Sequence, residues 1–459
     1  MSELRRKALG GGKTVSRKAR SKPESGFSSA NHSPNGSPGN SRAGSHAGSR
    51  PGSRYASEDE FDSESEMDDT MTMSTNSVSD EDEVDNTWAD RLHDRVTELQ
   101  DRKGSSVQGR EATLGAYNHL LKHHFAQREL DRSVAELLPI LLRGIRSGSS
   151  DEERLRALRA FTLTVLTCPS DTIFEQALPI LKAACHDADG DDIKVAAIHA
   201  VCIAVSYGGG SGSTAEETLD FLLEIIESDG QSVGADDSGP VVTAALQAWA
   251  FVATHMEDLT LQSEAAIEAF MEQLDSGDPD VQTSAGVNIA LLFEAARDYE
   301  EETGESFDMQ YNRYRIMTRM AEIVRDSSKA VSKKGRRHIR SNFSSIVTSL
   351  ERGTGPGYST AGRSGPNPHT GGSKADDQGD VQEFGYRERV RIRNQVLLID
   401  TWSLHARAEL LKTLLGGGLG VHYLENPVVK DILNDAEVEF ISTGKRRKEE
   451  AKLRRNTRD

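Results

Sequence analysis

A repeat of about 40 residues constrains the fold of this chain more than any other feature of its sequence. The segment LLPILLRGIRSGSSDEERLRALRAFTLTVL begins at Leu137, and ALPILKAACHDADGDDIKVAAIHAVCIAVS begins at Ala177, 40 residues later. Each segment contains two stretches with apolar residues at helical spacing, joined by a short turn. Two further sequences, PVVTAALQAWAFVAT and DVQTSAGVNIALLF, resemble the second helix of the repeat and follow at offsets of 48 and 40 residues. Two-helix repeats of this period are typical of stacked helical arrays.

The repeat length predicts a mostly α fold, a HEAT/armadillo-like α-solenoid over residues 86–352. Each two-helix unit carries an apolar stripe that it cannot bury alone, and stacking against its neighbours buries it. The predicted region has room for six or seven such units. Because a solenoid presents an extended curved surface, its usual work is to bind partners rather than to perform chemistry.

Four other regions differ from the repeat in composition. Residues 1–85 are rich in Ser, Gly, Pro and Asn, with a basic start and an acidic end, which predicts a disordered tail. Residues 353–380 form a Gly/Pro/Ser-rich linker, and residues 381–442 are predicted to form a small α+β C-terminal module. Residues 443–459 form a basic tail.

The composition excludes several classes of protein. With a formal net charge of −18, the whole chain is a poor non-specific binder of nucleic acid, so such contacts need local basic patches. The first 20 residues lack the apolar core of a signal peptide, and no apolar run is long enough for a membrane span. Cys168, Cys185 and Cys202 are evenly spaced, which favours buried helix positions over a metal site and is compatible with a reducing compartment.

The sequence contains no convincing catalytic motif. His119 and His123 have the spacing of a zinc protease helix, but Leu120 stands where that motif needs Glu, so a helix-surface pair is favoured. We find no GxSxG nucleophile turn, no P-loop, and no GxGxxG sequence that follows a strand and opens a helix. We therefore expect a non-enzymatic protein with no cofactor and no small-molecule substrate.

The stretch VLLIDTWSLHARAELLKTLLGGGLGVHYLENP combines an Asp, a Trp, two His and three glycines. It predicts a short strand, then a helix from Trp402 to Leu415 that Asp400 could cap and Trp402 could anchor by packing. A phosphate-binding loop needs its glycines before a helix, whereas residues 416–418 come after this one and indicate a helix stop. His405 and His422 have no partner at metal spacing in the sequence.

Local basic clusters are the candidate sites for RNA or partner binding in this acidic chain. One cluster leads into the last predicted solenoid helix, a second alternates along the strand RERVRIRN, and a third forms the C-terminal tail. Phosphate contacts, a nuclear import signal and simple solvated helix ends are the alternatives for these clusters. The candidate residues are Lys333, Lys334, Arg336, Arg337, Arg340, Arg387, Arg389, Arg391, Arg393, Lys445, Arg446, Arg447, Lys448, Lys452, Arg454 and Arg455.

Several segments resemble the interferon-related developmental regulator family. They include RKGSSVQGREATLGAYNHLLKHHFAQREL, DEERLRALRAFTLTVLTC and KKGRRHIRSNFSSIVTSLERG. The most specific match is RERVRIRNQVLLIDTWSLHARAELLKTLLGGGLGVHYLENPVVKDIL, with its order of basic strand, Ile-Asp-x-Trp, helix, glycines and closing helix. The resemblance implies a regulator of gene expression without enzymatic activity.

Two roles follow from this resemblance as expectations. The first is a ribosome-associated translational regulator whose solenoid and basic segments contact the ribosome and its rRNA. The second is a nuclear transcriptional co-regulator, a scaffold that recruits regulatory protein complexes. Together they imply cytoplasmic and nuclear locations, with no membrane association.

Overall fold

The apolar stripes along successive helix pairs are buried by stacking in the computed structural model of the chain. The structure describes residues 85–101, 105–256, 258–307, 311–326, 333–357, 388–393 and 395–440. All of these residues belong to one unit, residues 78–459. Residues 1–84 of the predicted disordered tail, most of the predicted linker and the basic tail lie outside the described residues.

The helices of the array alternate between two layers. In chain order they are α1 (Asp85–Gln100), α2 (Val107–His123), α3 (Gln127–Leu130), α4 (Val134–Ser147), α5 (Asp151–Thr167), α6 (Phe174–Asp187), α7 (Asp191–Tyr207), α8 (Gly212–Glu227), α9 (Gly239–Ala253), α10 (Thr260–Gln273), α11 (Pro279–Thr303), α12 (Arg313–Asp326) and α13 (Lys333–Arg352). The inner layer consists of α2, α5, α7, α9, α11 and α13, each packed on the next, and an outer helix precedes each of them. The prediction of a mostly α fold is confirmed.

Two buried polar groups tie neighbouring helices together. Arg110 of α2 donates through Nε and Nη2 to the fully buried carboxylate of Glu153 in α5, at 2.8 and 2.9 Å. The buried Lys194 of α7 donates at 3.2 Å to the Cys185 carbonyl in the last turn of α6. A cation at that position satisfies a carbonyl left without a helical partner and complements the helix dipole.

The C-terminal module combines a small antiparallel sheet with three helices. Its elements are β1 (Glu388–Ile392), β2 (Gln395–Ile399), α14 (Trp402–Leu415), a 3₁₀ turn at Gly416–Gly418, α15 (Leu419–Glu425), α16 (Pro427–Ile432) and β3 (Glu437–Phe440). The strand order is β1-β2-β3. The predicted strand and helix are therefore confirmed, but the cap is Thr401, not Asp400, because the Thr401 side chain accepts from the Leu404 N–H at 3.1 Å.

The module lies across the inner layer of the array. Its helix α14 packs on α9 and α11, the 3₁₀ turn and α15 pack on α2, and α16 packs on α5. The module therefore contacts the inner helices α2, α5, α9 and α11, which span most of the array.

Candidate partner-binding surfaces beside the docked C-terminal module

Trp402 anchors the start of α14 in the array. Its side chain is 2% exposed, and its indole Nε1–H donates to the Ser349 Oγ of α13 at 2.6 Å. Burial of an indole contributes a large hydrophobic term, and the hydrogen bond satisfies its one polar atom. The prediction that Trp402 is a packing anchor is confirmed.

A carboxylate from the array caps the start of the same helix. The Glu294 side chain, on α11, accepts from the backbone N–H of Trp402 at 2.8 Å and from that of Ser403 at 2.9 Å. These N–H groups lie in the first turn of α14, where no helical acceptor exists and the dipole favours an anion. Glu294 is almost fully buried, and this burial raises the pKa of its carboxyl to about 6 despite both hydrogen bonds.

The far end of the module binds the C-terminal ends of two inner helices. His422 is fully buried, and its Nε2–H donates at 2.8 Å to the Leu121 carbonyl near the end of α2. Asn426 donates at 3.1 Å to the Leu166 carbonyl near the end of α5, and its amide also faces His422 Nδ1. Burial lowers the pKa of His422, so the ring is neutral and Nδ1 can accept from that amide.

Arg407 makes the same kind of contact with the C-terminal end of a third inner helix, α9. Its guanidinium donates to the Thr254 carbonyl, which follows α9, at 2.6 Å and to the Thr254 Oγ1 at 3.1 Å. Donors from the module therefore satisfy carbonyls at the ends of three inner helices. These contacts hold the module at the C-terminal ends of α2, α5 and α9. They do not involve the N-terminal ends of these helices.

The glycines at residues 416–418 have two different roles. Gly416 ends α14 with a φ of +50°, a conformation that favours glycine. Gly418 is buried directly against the Lys122 carbonyl of α2, where any Cβ would overlap the backbone oxygen. The helix-stop interpretation accounts for Gly416, whereas Gly418 is needed for the close approach of the module to the array.

A partly buried ion network joins β1 to α14. The Glu388 carboxylate lies 2.6 Å from His405 Nδ1 and 3.3 Å from Lys412 Nζ, and Lys412 also contacts Glu409 at 2.6 Å. Burial alone would raise the pKa of Glu388, but the charges of His405 and Lys412 outweigh it and hold that pKa at about 2. The pKa of His405, which burial would lower, is raised by the carboxylates.

Three side chains of this network, Glu388, His405 and Glu409, lie close enough together to hold a metal ion. No other such group of His, Cys, Asp or Glu occurs among the described residues. Sequence analysis did not identify Glu388 as a partner of His405, because the two residues are 17 positions apart and lie on different elements. A metal ion would have to displace Lys412, which already neutralises both carboxylates. Two anions and two cations balance here, so the arrangement supports a structural ion network rather than a metal centre.

The predicted arginine row lies on the exposed face of β1. Arg389 and Arg391 are both exposed and point to the same side of the strand, and Arg393 is exposed in the turn that follows. Arg389 also approaches Glu439 of β3, with 3.5 Å between guanidinium and carboxylate. Arg387 lies outside the described residues.

The other candidate clusters are described only in part. Arg340 is exposed on α13, whereas Lys333, Lys334, Arg336 and Arg337 lie in the first turns of that helix with side chains outside the described part. The tail residues lie outside it entirely; they are Lys445, Arg446, Arg447, Lys448, Lys452, Arg454 and Arg455. Their role in binding stays a prediction.

The cysteines and the His119–His123 pair of the array lie as the sequence predicts. Cys168, Cys185 and Cys202 are all buried and unbridged, and burial raises the pKa of the Cys168 and Cys185 thiols to about 12. A thiol with such a pKa is not a nucleophile at neutral pH. His119 and His123 are exposed on one face of α2 with their rings 4.5 Å apart, as expected for a helix-surface pair.

A family model for the interferon-related developmental regulators matches residues 57–351. The chain belongs to the interferon-related developmental regulator family. The family match covers the helical array and ends before the C-terminal module, whose sequence resemblance to the family is therefore a separate observation. Within the described residues, no helix combines the length and apolarity that a membrane crossing requires.

Relatives in fungi and mammals are similar over most of their length. An uncharacterised protein of Schizosaccharomyces pombe is 25% identical over 364 residues, covering 76% of this chain and 74% of that protein. Interferon-related developmental regulator 2 of Mus musculus is 25% identical, covering 75% of this chain and 72% of its own. Interferon-related developmental regulator 1 of Homo sapiens is 22% identical, with 71% and 67% covered. The names of the two mammalian relatives describe developmental regulators.

Proposed function

We propose that this protein is a ribosome-associated translational regulator that binds rRNA phosphates through its basic segments. The observation that carries the proposal is the exposed arginine face of β1, formed by Arg389 and Arg391 with Arg393 at its end. Guanidinium groups donate several hydrogen bonds in a planar fork that matches a phosphate group.

The rigidity of the element that carries these arginines supports the proposal. The opposite face of β1 contributes the buried Val390 and Ile392 to the core, and Glu388 ties the strand to α14. Because α14 is itself held by Trp402 and Glu294 contacts, the arginine face has a fixed position relative to the array. A pre-positioned cationic face loses little conformational entropy when it binds a phosphate backbone.

Reversing two of these charges should release the protein from ribosomes. In the double variant Arg389→Glu and Arg391→Glu, we expect at least tenfold weaker co-sedimentation with ribosomes in low-salt sucrose gradients, because two phosphate contacts become repulsive. We also expect the dependence of log affinity on log salt to become less steep by about 1.4–1.8, since each of the two phosphate contacts contributes about 0.7–0.9.

The matched control is Arg143→Glu with Arg146→Glu, two exposed positions on the outer helix α4 with the same change of charge. This control should sediment like the wild type. Equal loss of sedimentation in both variants would assign the effect to net charge rather than to the β1 face. Unchanged sedimentation of the β1 variant would contradict its role in ribosome binding.

A further inference from the structure

The outer layer of the array contains a groove between its last two helices. A cavity of about 580 Å³ separates the second half of α10 from the first half of α12. Met271 is buried beneath it, and Tyr314 stands at its rim with 76% of its side chain exposed. The charged side chains that line it are Glu268, Glu272, Asp275, Arg315, Arg319 and Glu322.

The α10 wall of this groove carries carboxylates without cations to balance them. Glu268 and Glu272 are one helical turn apart and exposed, and neither makes an ion pair among the described residues. On the α12 wall, Arg319 is occupied by Asp275 and by Glu322 at 3.2 Å, which leaves Arg315 as the other lining cation. The groove therefore has a net negative charge.

The negative charge extends beyond the groove. Neither α8 nor α10 contains a Lys or an Arg residue. The pKa of Glu227, at the end of α8, is raised by burial and then by repulsion from Glu272, Glu268 and Glu224. A cation bound between these carboxylates would relieve that repulsion.

We propose that the groove between α10 and α12 docks an extended Lys/Arg-rich peptide segment of a partner protein. Glu268 and Glu272 would receive two of its cations, and the exposed ring of Tyr314 would stack on a guanidinium. Charge complementarity selects this occupant, because a nucleic acid would be repelled by the same carboxylates. This site lies on the outer layer, and its role does not depend on ribosome binding by the basic segments.

Fluorescence anisotropy of the full chain with a labelled synthetic peptide of alternating Arg and Ser tests the proposal. In the variant Glu268→Gln and Glu272→Gln, we expect about tenfold weaker binding, and Tyr314→Ala should weaken binding severalfold. The matched control is Glu216→Gln with Glu217→Gln on α8, which removes the same charge at exposed positions ten residues before Glu227, about 15 Å along the helix.

The control variant should bind the peptide as the wild type does. Equal weakening in the control would show general attraction to an acidic protein and would overturn the proposal, as would unchanged binding in the groove variant. Tenfold tighter peptide binding after removal of residues 443–459 would show that the chain's own basic tail fills the groove, which would also overturn a partner segment as its occupant.

Discussion

Replacing Trp402 by alanine is expected to lower the free energy of unfolding by about 3–5 kcal/mol. The indole is 2% exposed, it packs at the junction of the module with the array, and its N–H is bonded to Ser349. The variant therefore creates a cavity at the junction and leaves the Ser349 hydroxyl without its donor. Denaturant unfolding followed by circular dichroism measures the loss.

Two further variants separate the causes of this effect. Trp402→Phe keeps an aromatic ring but removes the N–H donor, so its cost should be clearly smaller than that of alanine. Tyr314→Ala removes a ring that is 76% exposed and should change stability by no more than about 0.5 kcal/mol. A Trp402→Ala protein as stable as the Tyr314→Ala protein would contradict the described junction.

Replacing Glu294 by alanine should lower the free energy of unfolding by about 2–6 kcal/mol at neutral pH. The substitution deprives two backbone N–H groups, those of Trp402 and Ser403, of their shared acceptor at a buried helix start. Each unsatisfied buried donor costs about 1–3 kcal/mol. Glu301→Ala, at an exposed position on the same helix, is the control and should have little effect.

The effect of Glu294 should also depend on pH. Its folded-state pKa, about 6, lies above the ordinary value of 4.5, so the folded protein binds this proton more tightly than the unfolded chain does. Its stabilising contribution is therefore fully present below pH 4.5 and declines by about 2 kcal/mol as pH rises through 6. The stability difference between wild type and Glu294→Ala should shrink by that amount from pH 3.5 to 7.5, and a constant difference would contradict the shift.

The elements that the sequence predicts well are those specified by neighbouring residues. Apolar spacing predicts the array, and the helix from Trp402 to Leu415 begins and ends where the sequence indicates, because its cap and its glycine stop are local signals. The prediction that Asp400 caps this helix was wrong, and the reason is also local. Thr401, one residue later, also has a side-chain oxygen that can accept from the first turn.

The docking contacts could not be predicted, because they join residues that are far apart in the chain. Glu294 lies 108 residues before Trp402, His422 lies 301 residues after Leu121, and Asn426 lies 260 residues after Leu166. In the sequence, a Glu in a helical stripe or a His after a glycine run has no feature that reveals such a partner. A polar residue within an apolar face, such as Glu294 in NIALLFEAA, indicates only that the side chain is buried and not which residues it contacts.

Purification of the tagged full chain from a cell lysate at two salt concentrations, with RNA and protein both identified, tests the central claim most directly. The proposed function predicts that rRNA and ribosomal proteins co-purify at about 50 mM salt and are lost at about 200 mM, because phosphate contacts are salt-sensitive. Recovery of chromatin or transcription proteins without rRNA at the lower salt would contradict it and would favour the nuclear scaffold instead.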